Sequence, residues 1–124
     1  MNFKTTLVVS ALISSSFLVA TPASANTQLA ASLCDYVAAD DKSRLRKKLK
    51  ESRVKLRNVF SGVSCSGNNL LRHAMQSNAN GTGQFIVKKL PKSDLASGGD
   101  VDWAAANGHS GSPIVADIKA RAGI

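Results

Sequence analysis

Residues 40–57 read DDKSRLRKKLKESRVKLR, and the rest of the chain has to accommodate this stretch. Asp40 and Asp41 stand where short acidic side chains cap free N–H groups of a helix and oppose the positive end of its dipole. Leu45, Leu49 and Leu56 recur at spacings that place them on one stripe of a helix. Nine of the sixteen basic residues lie here, namely Lys42, Arg44, Arg46, Lys47, Lys48, Lys50, Arg53, Lys55 and Arg57. The stretch predicts a capped cationic helix from Lys42 to about Ser52 that packs on the helices before and after it.

Residues 1–25 have the pattern of a cleaved secretory signal peptide. Lys4 gives a positive start, residues 7–19 form an apolar core, and small residues precede a cleavage point after Ala25. That core is too short to span the roughly 30 Å hydrocarbon layer of a membrane. A lipid anchor would need a Cys at the cleavage point, where Asn26 stands. We therefore expect a mature chain of residues 26–124, one domain without a membrane span, periplasmic or secreted.

The formal net charge is +8, and it falls to +7 when Lys4 is lost with the signal peptide. A strongly basic surface favours polyanions such as nucleic acid, anionic lipid head groups or acidic cell-wall polymers. The alternative is that the charge serves solubility alone. Aromatic residues make up only 5% of the chain, which argues against sequence-specific reading of single-stranded nucleic acid by base stacking.

The chain has two cysteines, Cys34 and Cys65. An even count in an oxidising compartment favours one disulfide between them, worth roughly 3–4 kcal/mol in the chain-entropy model. Together with His73 and His109 they make a nominal set of zinc ligands. No CxxC or HxxxH spacing supports such a site, so we predict neither a metal nor another cofactor.

The segments around the cationic helix predict an all-α fold of stacked antiparallel helical hairpins. A first helix should run from a cap at Asn26 or Thr27 to about Ala39, and a turn this short makes it the antiparallel partner of the cationic helix. A third helix should begin after Asn68 or Asn69 and end near Asn78. Asn80-Gly81 and Gly83 interrupt the third helix, and a fourth should follow over residues 82–90, where Pro91 stops it.

The other segments of the chain are predicted as a connection, a linker and a last helix. Residues 54–67 fit both a continued helical stripe and an alternating extended pattern, and we interpret them as a long, extended and irregular connection. Residues 92–102 are interpreted as an internal linker, flexible at Ser97-Gly98-Gly99, with a short Ala-rich turn after it. Ser112 as N-cap and Pro113 at the first helical position open the last helix.

Parts of the chain resemble ankyrin repeats, whose units open with Gly-x-Thr-Pro-Leu-His-x-Ala. The resembling segments are GNNLLRHA at 67–74, GSPI at 111–114 and the helix-turn-helix pattern YVAADDKSRLRKKL at 36–49. Their separations are irregular, and neither opening has Thr followed by Pro. The resemblance implies helix pairs stacked side by side.

The chain also resembles a family of small exported bacterial proteins without an assigned function. The resemblance rests on LCDYVAADDKSRLRKKLK at 33–50, FSGVSCSGNNLLRHAMQ at 60–76 and FIVKKLPKS at 85–93. It implies one domain with the cysteine pair built into its pattern. It carries no catalytic residues over to this chain.

Candidate catalytic residues are few. His73 is predicted within the third helix, as a boundary residue flanking its apolar face. His109 lies in a loop, Gly108-His109-Ser110-Gly111, without a neighbouring carboxylate motif. The sequence has no GxSxG, no phosphate-binding loop and no HExxH. We therefore predict that the protein is not an enzyme.

The remaining candidate site is a basic row. If the cationic helix persists far enough, one helical row holds Arg46, Lys50, Arg53 and Arg57. The first functional hypothesis is a small exported interaction module that binds a protein partner through its stack of helical hairpins. The alternative is a protein that binds a polyanion, such as nucleic acid, anionic lipid or a cell-wall polymer, through residues 42–57.

Overall fold

The computed structural model describes residues 22–124, and the side chains from Thr27 onward. Within this range the predicted all-α class is confirmed, because the chain forms helices and no strand. The helices are α1 (Pro22–Ala38), α2 (Lys42–Glu51), α3 (Leu56–Val59), α4 (Leu70–Gln76), α5 (Asn80–Lys89), α6 (Lys92–Ser97), α7 (Asp100–Ala106) and α8 (Pro113–Ala122). A 3₁₀ turn follows α3 at Phe60–Gly62.

Three pairs of consecutive helices, α1–α2, α4–α5 and α7–α8, are joined by turns with the same backbone geometry. One residue of each turn has a positive φ, 54° at Asp40, 52° at Asn78 and 78° at Gly108. Asp, Asn and Gly tolerate this conformation better than other residues. The following residue donates its N–H to a carbonyl at the end of the preceding helix, which completes the cap: Asp41 to Tyr36, Ala79 to Ala74 and His109 to Ala104.

The helix pairs contact one another in order along the chain. Helix α4 contacts both α1 and α7, and α5 contacts both α2 and α8. One apolar cluster fills the space between them, with Leu33, Leu45, Leu71, Ile86 and Ile118 fully buried. A buried Leu or Ile side chain contributes about 1.5–3 kcal/mol relative to an exposed one, so this shared cluster is the main source of stability.

The start of α5 receives its cap from another helix pair. Its own N-cap residue, Ala79, has no side-chain acceptor. The carboxylate of Asp40, in the turn between α1 and α2, accepts a hydrogen bond from the Thr82 N–H at 2.8 Å instead. Helix α5 therefore begins at Asn80, before the predicted start at residue 82.

Two glycines that were predicted to interrupt the helical pattern lie inside α5, at points of close approach. A Cβ atom on Gly81 would lie 3.0 Å from Asp40 Oδ1. A Cβ atom on Gly83 would overlap Ile114 Cδ1 of α8. The glycines allow α5 to contact its neighbours, which a single sequence does not reveal.

The predicted disulfide between Cys34 and Cys65 is confirmed, with Cα atoms 5.7 Å apart. It joins α1 to the segment after the 3₁₀ turn. Around Cys65 the backbone is extended, and Cys65 and Asn68 form an isolated antiparallel bridge. The disulfide therefore holds the end of the α2–α4 connection against α1.

The prediction of an extended connection at residues 54–67 is wrong for its first half. The chain turns back at Arg53 and forms α3 and then the 3₁₀ turn. Leu56, at the start of α3, is 3% exposed. Burial of this side chain draws the segment against α5, which α3 contacts.

The prediction of a linker at residues 92–102 is also wrong, because α6 and the start of α7 occupy it. Leu95 is buried and holds α6 in the core, where α6 contacts α8. Asp100, at the start of α7, is buried as well. Gly99, with a φ of 70°, forms the turn between the two helices. The Ser-Gly-Gly sequence marks this turn.

The predicted signal peptide, residues 1–25, falls mostly on residues 1–21, which lie outside the described part of the chain. Helix α1 begins at Pro22, ahead of the predicted cap at Asn26 or Thr27, so the predicted cleavage point lies near its start. Between residues 22 and 124, no helix combines the length and apolar character needed to cross a bilayer.

Candidate functional site

Helix α2 is fixed by its leucines and exposes its cations. The Asp41 carboxylate accepts a hydrogen bond from the Arg44 N–H at 3.0 Å, which confirms the predicted acidic cap. Leu45 and Leu49 are buried, and the helix contacts α1 and α5. Its other faces carry charged side chains in solvent. The spacing of leucines that predicted this helix therefore also determines where its charges point.

An open groove of about 760 Å³ lies beside α2, bordered by residues 54–57 and by α5. We call it the basic groove. Its cationic lining residues are Arg46, Lys47, Lys50, Lys55, Arg57 and Lys89. Its apolar lining residues are Leu49, Val54, Leu56 and Phe85. Three separate segments of the chain thus form one cationic rim around an apolar floor.

The predicted basic row is only partly assembled in this groove. Arg46, Lys50 and Arg57 line it, whereas Arg53 does not. Arg53 has a φ of 54°, and the next N–H, that of Val54, bonds back to the Leu49 carbonyl. This cap ends the helix, so the row cannot continue to residue 57 on one helix. Arg57 reaches the groove because the chain folds back.

Sequence reasoning missed the contribution of α5. Phe85 and Lys89 line the groove, and the Lys89 Nζ lies 5.6 Å from the centroid of the Phe85 ring. A cation over an aromatic face is attracted by the ring's quadrupole. The sequence places both Lys88 and Lys89 on the outer face of the fourth helix. The only signal that separates them is that Lys89 follows Phe85 by about one helical turn.

The groove is electrostatically one-sided. Among the described residues no carboxylate lines it, and only one of its cations has an acidic partner, Lys47, at 3.8 Å from Glu51. By contrast, a second groove of about 400 Å³ along α5 and α8 mixes charges, with Asp117 beside Lys88, Lys92 and Arg121. Like charges around a cleft repel one another, and a bound anion relieves that repulsion.

Each of the two histidines has a partner within the fold. His73 Nε2 lies 3.1 Å from the Cys34 carbonyl oxygen. The His109 ring stacks on Trp103, with ring centroids 5.5 Å apart. Cys34 and Cys65 are bonded to each other, and no group of three or more His, Cys, Asp or Glu side chains within residues 22–124 is placed to hold a metal ion. Three of the four nominal zinc ligands, Cys34, Cys65 and His73, are thus neighbours, but the disulfide takes up both sulfurs, and His109 stacks on Trp103 instead.

One protein family matches the chain. The model of this family, described as a protein of unknown function, DUF3718, matches residues 33–97. This span contains both cysteines and every residue that lines the basic groove. No curated protein and no solved structure matches the chain.

Proposed function

The chain belongs to the DUF3718 family of proteins of unknown function, and we propose that it is a non-enzymatic binding module whose basic groove takes an anionic partner. One observation carries the proposal: six cationic residues surround the groove without a carboxylate in its described lining. A cleft lined by one sign of charge focuses its field and concentrates counter-ions. Such a groove suits phosphate, sulfate or carboxylate groups.

The residue types in the rim add to this argument. Arg46 and Arg57 carry planar guanidinium groups, which bind phosphate or carboxylate through two parallel hydrogen bonds. The four lysines supply mobile point charges that adapt to different ligand shapes. The rim therefore favours anionic groups as a class, in keeping with the nucleic acid, anionic lipid or cell-wall polymer expected from the net charge.

We also propose that the protein acts outside the cytoplasm, in the periplasm or after secretion. The Cys34–Cys65 disulfide is compatible with an oxidising compartment. The predicted signal peptide at residues 1–25 would direct the chain there. An exported protein meets anionic lipid surfaces and acidic polymers, which are partners of the proposed class.

The test is retention on immobilised heparin as a polyanion probe, using two variants with the same charge change. The groove triple carries Arg46→Gln, Lys50→Gln and Arg57→Gln. The control triple carries Lys42→Gln, Arg53→Gln and Lys88→Gln, at positions outside the groove. We expect the wild type and the control to be retained at about 50 mM salt and released by about 200 mM. The groove triple should elute earlier than both.

The same experiment yields the salt dependence of binding. For every phosphate-type interaction that a variant removes, the slope of log affinity against log salt should flatten by roughly 0.7–0.9. Circular dichroism of both triples checks that they remain folded. Equal elution of the two triples would show that only net charge matters, and the groove would then have no part in binding.

A protein partner bound through an ankyrin-like stack is the second candidate. The order of contacts supports it, because α1, α4 and α7 contact in sequence, as do α2, α5 and α8. Stacked helix pairs form extended surfaces that bind proteins. Capture of a periplasmic partner by the wild type and by the groove triple, equally at both salt concentrations, would favour this candidate over an anionic ligand.

A further inference from the structure

The floor of the basic groove narrows the class of anion. We infer that the occupant is amphiphilic, a single-chain lipid phosphate whose head group lies among the rim cations and whose alkyl chain covers the apolar floor. This inference rests on the proposed function, because it assumes that the groove binds anions. It adds the requirement that the ligand carry an apolar part.

The floor consists of small exposed parts of three core side chains and of Val54, which is its most exposed member. Leu49, Leu56 and Phe85 keep 7%, 3% and 8% of their surface exposed, and Val54 is half-buried. These apolar edges meet in one place, between two arginines and four lysines. An alkyl chain that displaces water from this floor gains free energy by burying apolar surface. A purely ionic ligand leaves the floor in contact with water.

The shape of the rim argues against a long polymer. A phosphate backbone needs cations spaced along a track, and the predicted track is interrupted because Arg53 lies outside the groove. The remaining cations come from α2, residues 54–57 and α5, and they surround the floor. A volume of about 760 Å³ falls within the roughly 300–1,000 Å³ typical of small-molecule sites.

Phe85 does not offer a stacking platform for a nucleobase. The residue is 8% exposed, and Lys89 Nζ lies over its ring at 5.6 Å from the centroid. Readers of single strands present an open aromatic face to each base. Phe85 therefore contributes little exposed surface to the floor and serves mainly to position a rim cation.

The test compares three probes on the full chain by isothermal titration calorimetry, below their micelle concentrations. Dodecyl phosphate carries the head group and the chain, butyl phosphate has the same head group with a short chain, and dodecyltrimethylammonium has the chain with a cation. We expect dodecyl phosphate to bind at least tenfold more tightly than butyl phosphate, and the cationic amphiphile not to bind. Each methylene added between the two chain lengths should strengthen binding by about two- to fourfold while it still contacts the floor.

Two matched substitutions test where the alkyl chain of the ligand binds. Val54→Ser removes apolar surface from the floor, and Val101→Ser makes the same change at a partly buried position of α7 outside the groove. Val54→Ser should lower the affinity for dodecyl phosphate at least threefold without changing the affinity for butyl phosphate. Val101→Ser should change neither affinity. The comparison of dodecyl with butyl phosphate on the wild type tests the inference even if a variant fails to fold.

The outcomes separate this inference from the proposed function. One outcome is that heparin retention depends on the groove cations while dodecyl and butyl phosphate bind equally well. In that case the groove binds anions, as proposed, but the inference of an amphiphilic ligand is wrong. Equal binding of the anionic and cationic amphiphiles would mean that the protein recognises the alkyl chain alone, which also overturns the inference. If neither heparin retention nor phosphate binding depends on the groove cations, the proposed function itself fails.

Discussion

Asp40 acts on two helix pairs at once. Its backbone, with a φ of 54°, forms the turn between α1 and α2, and its carboxylate accepts from the Thr82 N–H of α5 at 2.8 Å. Thr82 is fully buried, and its hydroxyl donates to the Val37 carbonyl of α1 at 3.1 Å. Two hydrogen bonds therefore join the first helix pair to the start of the second.

Three substitutions at Asp40 separate its two contributions. Asp40→Ala loses the acceptor and places a Cβ-bearing residue without local hydrogen bonding in a left-handed conformation, and should cost about 2–3 kcal/mol. Asp40→Gly loses only the acceptor and should cost about 1 kcal/mol, and Asp40→Asn, which keeps both, about 0.5 kcal/mol or less. Urea unfolding measures all three. Equal losses in the three variants would contradict the separate roles.

Arg72 and Asp100 form the best-buried ion pair among the described residues. Arg72 Nε donates to Asp100 Oδ1 at 2.9 Å, and the side chains are 27% and 2% exposed. The Asn69 amide donates to the same oxygen at 2.8 Å. The Arg72 guanidinium also lies over the Trp103 ring, 5.6 Å from its centroid. These contacts hold α7 against α4.

Arg72→Gln should lower the free energy of unfolding by about 2–4 kcal/mol, because it leaves the buried Asp100 carboxylate with a weaker set of partners. Arg72→Gln combined with Asp100→Asn should recover part of this loss, since no buried charge then remains. Arg44→Gln is the control, because Arg44 is paired with Asp41 but 72% exposed, and should cost roughly 0–1 kcal/mol. Denaturant unfolding with similar losses for Arg72→Gln and Arg44→Gln would contradict this account.

At the scale of the helices, close contact between α5 and α8 depends on a single missing side chain. Glycine inside a helix usually costs about 0.5–1 kcal/mol relative to alanine. At Gly83 a Cβ atom would lie 2.6 Å from Ile114 Cγ1 and closer still to its Cδ1. The contact between the helices therefore outweighs the helix propensity of this position.

Gly83→Ala should destabilise the protein by about 1–3 kcal/mol despite its better helix propensity, because overpacking forces α5 and α8 apart. Gly62→Ala is the matched control, since no atom lies within 4 Å of a Cβ at that position, and should change stability by about 0.5 kcal/mol or less. Thermal or urea unfolding distinguishes them. A stabilised Gly83→Ala variant would show that α5 and α8 are not so closely packed.

The disulfide fixes the connection that forms one wall of the basic groove. Cys65 holds the end of this connection to α1, and residues 54–57 of the same connection line the groove. Replacing both cysteines with serine should cost roughly 3–4 kcal/mol, because the unfolded chain gains loop entropy. Thiol labelling of the unreduced, denatured wild type should find no free cysteine. Labelling at both positions would contradict the pairing in the native protein.

The helices that sequence alone predicted well have local signals. Asp41 and the leucine spacing define α2, and Ser112 with Pro113 opens α8. Helices α6 and α7 span only six and seven residues and are held by buried side chains, Leu95 and Asp100, whose partners are distant in sequence. The predicted basic row covers only part of the basic groove for the same reason. Its α2 cations belong to one helix, whereas Lys89 enters only through the packing of α5.

At the scale of the whole molecule, positive charge without acidic partners is unevenly distributed. The formal net charge is +8, and six of the sixteen basic residues line the basic groove. The carboxylates that form salt bridges within residues 22–124 lie elsewhere or at the edge, on Asp41, Glu51 and Asp100. Part of the excess charge is thus concentrated beside an apolar floor, and the proposed function depends on this arrangement.

The mature chain should begin at Asn26 without loss of stability. Leu33 and Val37 of α1 are fully buried, and Leu29 is packed against the core, so the predicted cleavage after Ala25 leaves all of these contacts in place. Residues 26–124 should therefore unfold with the same free energy as residues 22–124, within about 0.5 kcal/mol. Intact mass of the exported protein should show a chain beginning at Asn26. Exported material that retains Met1 would contradict the cleavage, and a loss above about 1 kcal/mol on removing residues 22–25 would show that the start of α1 contributes to the fold.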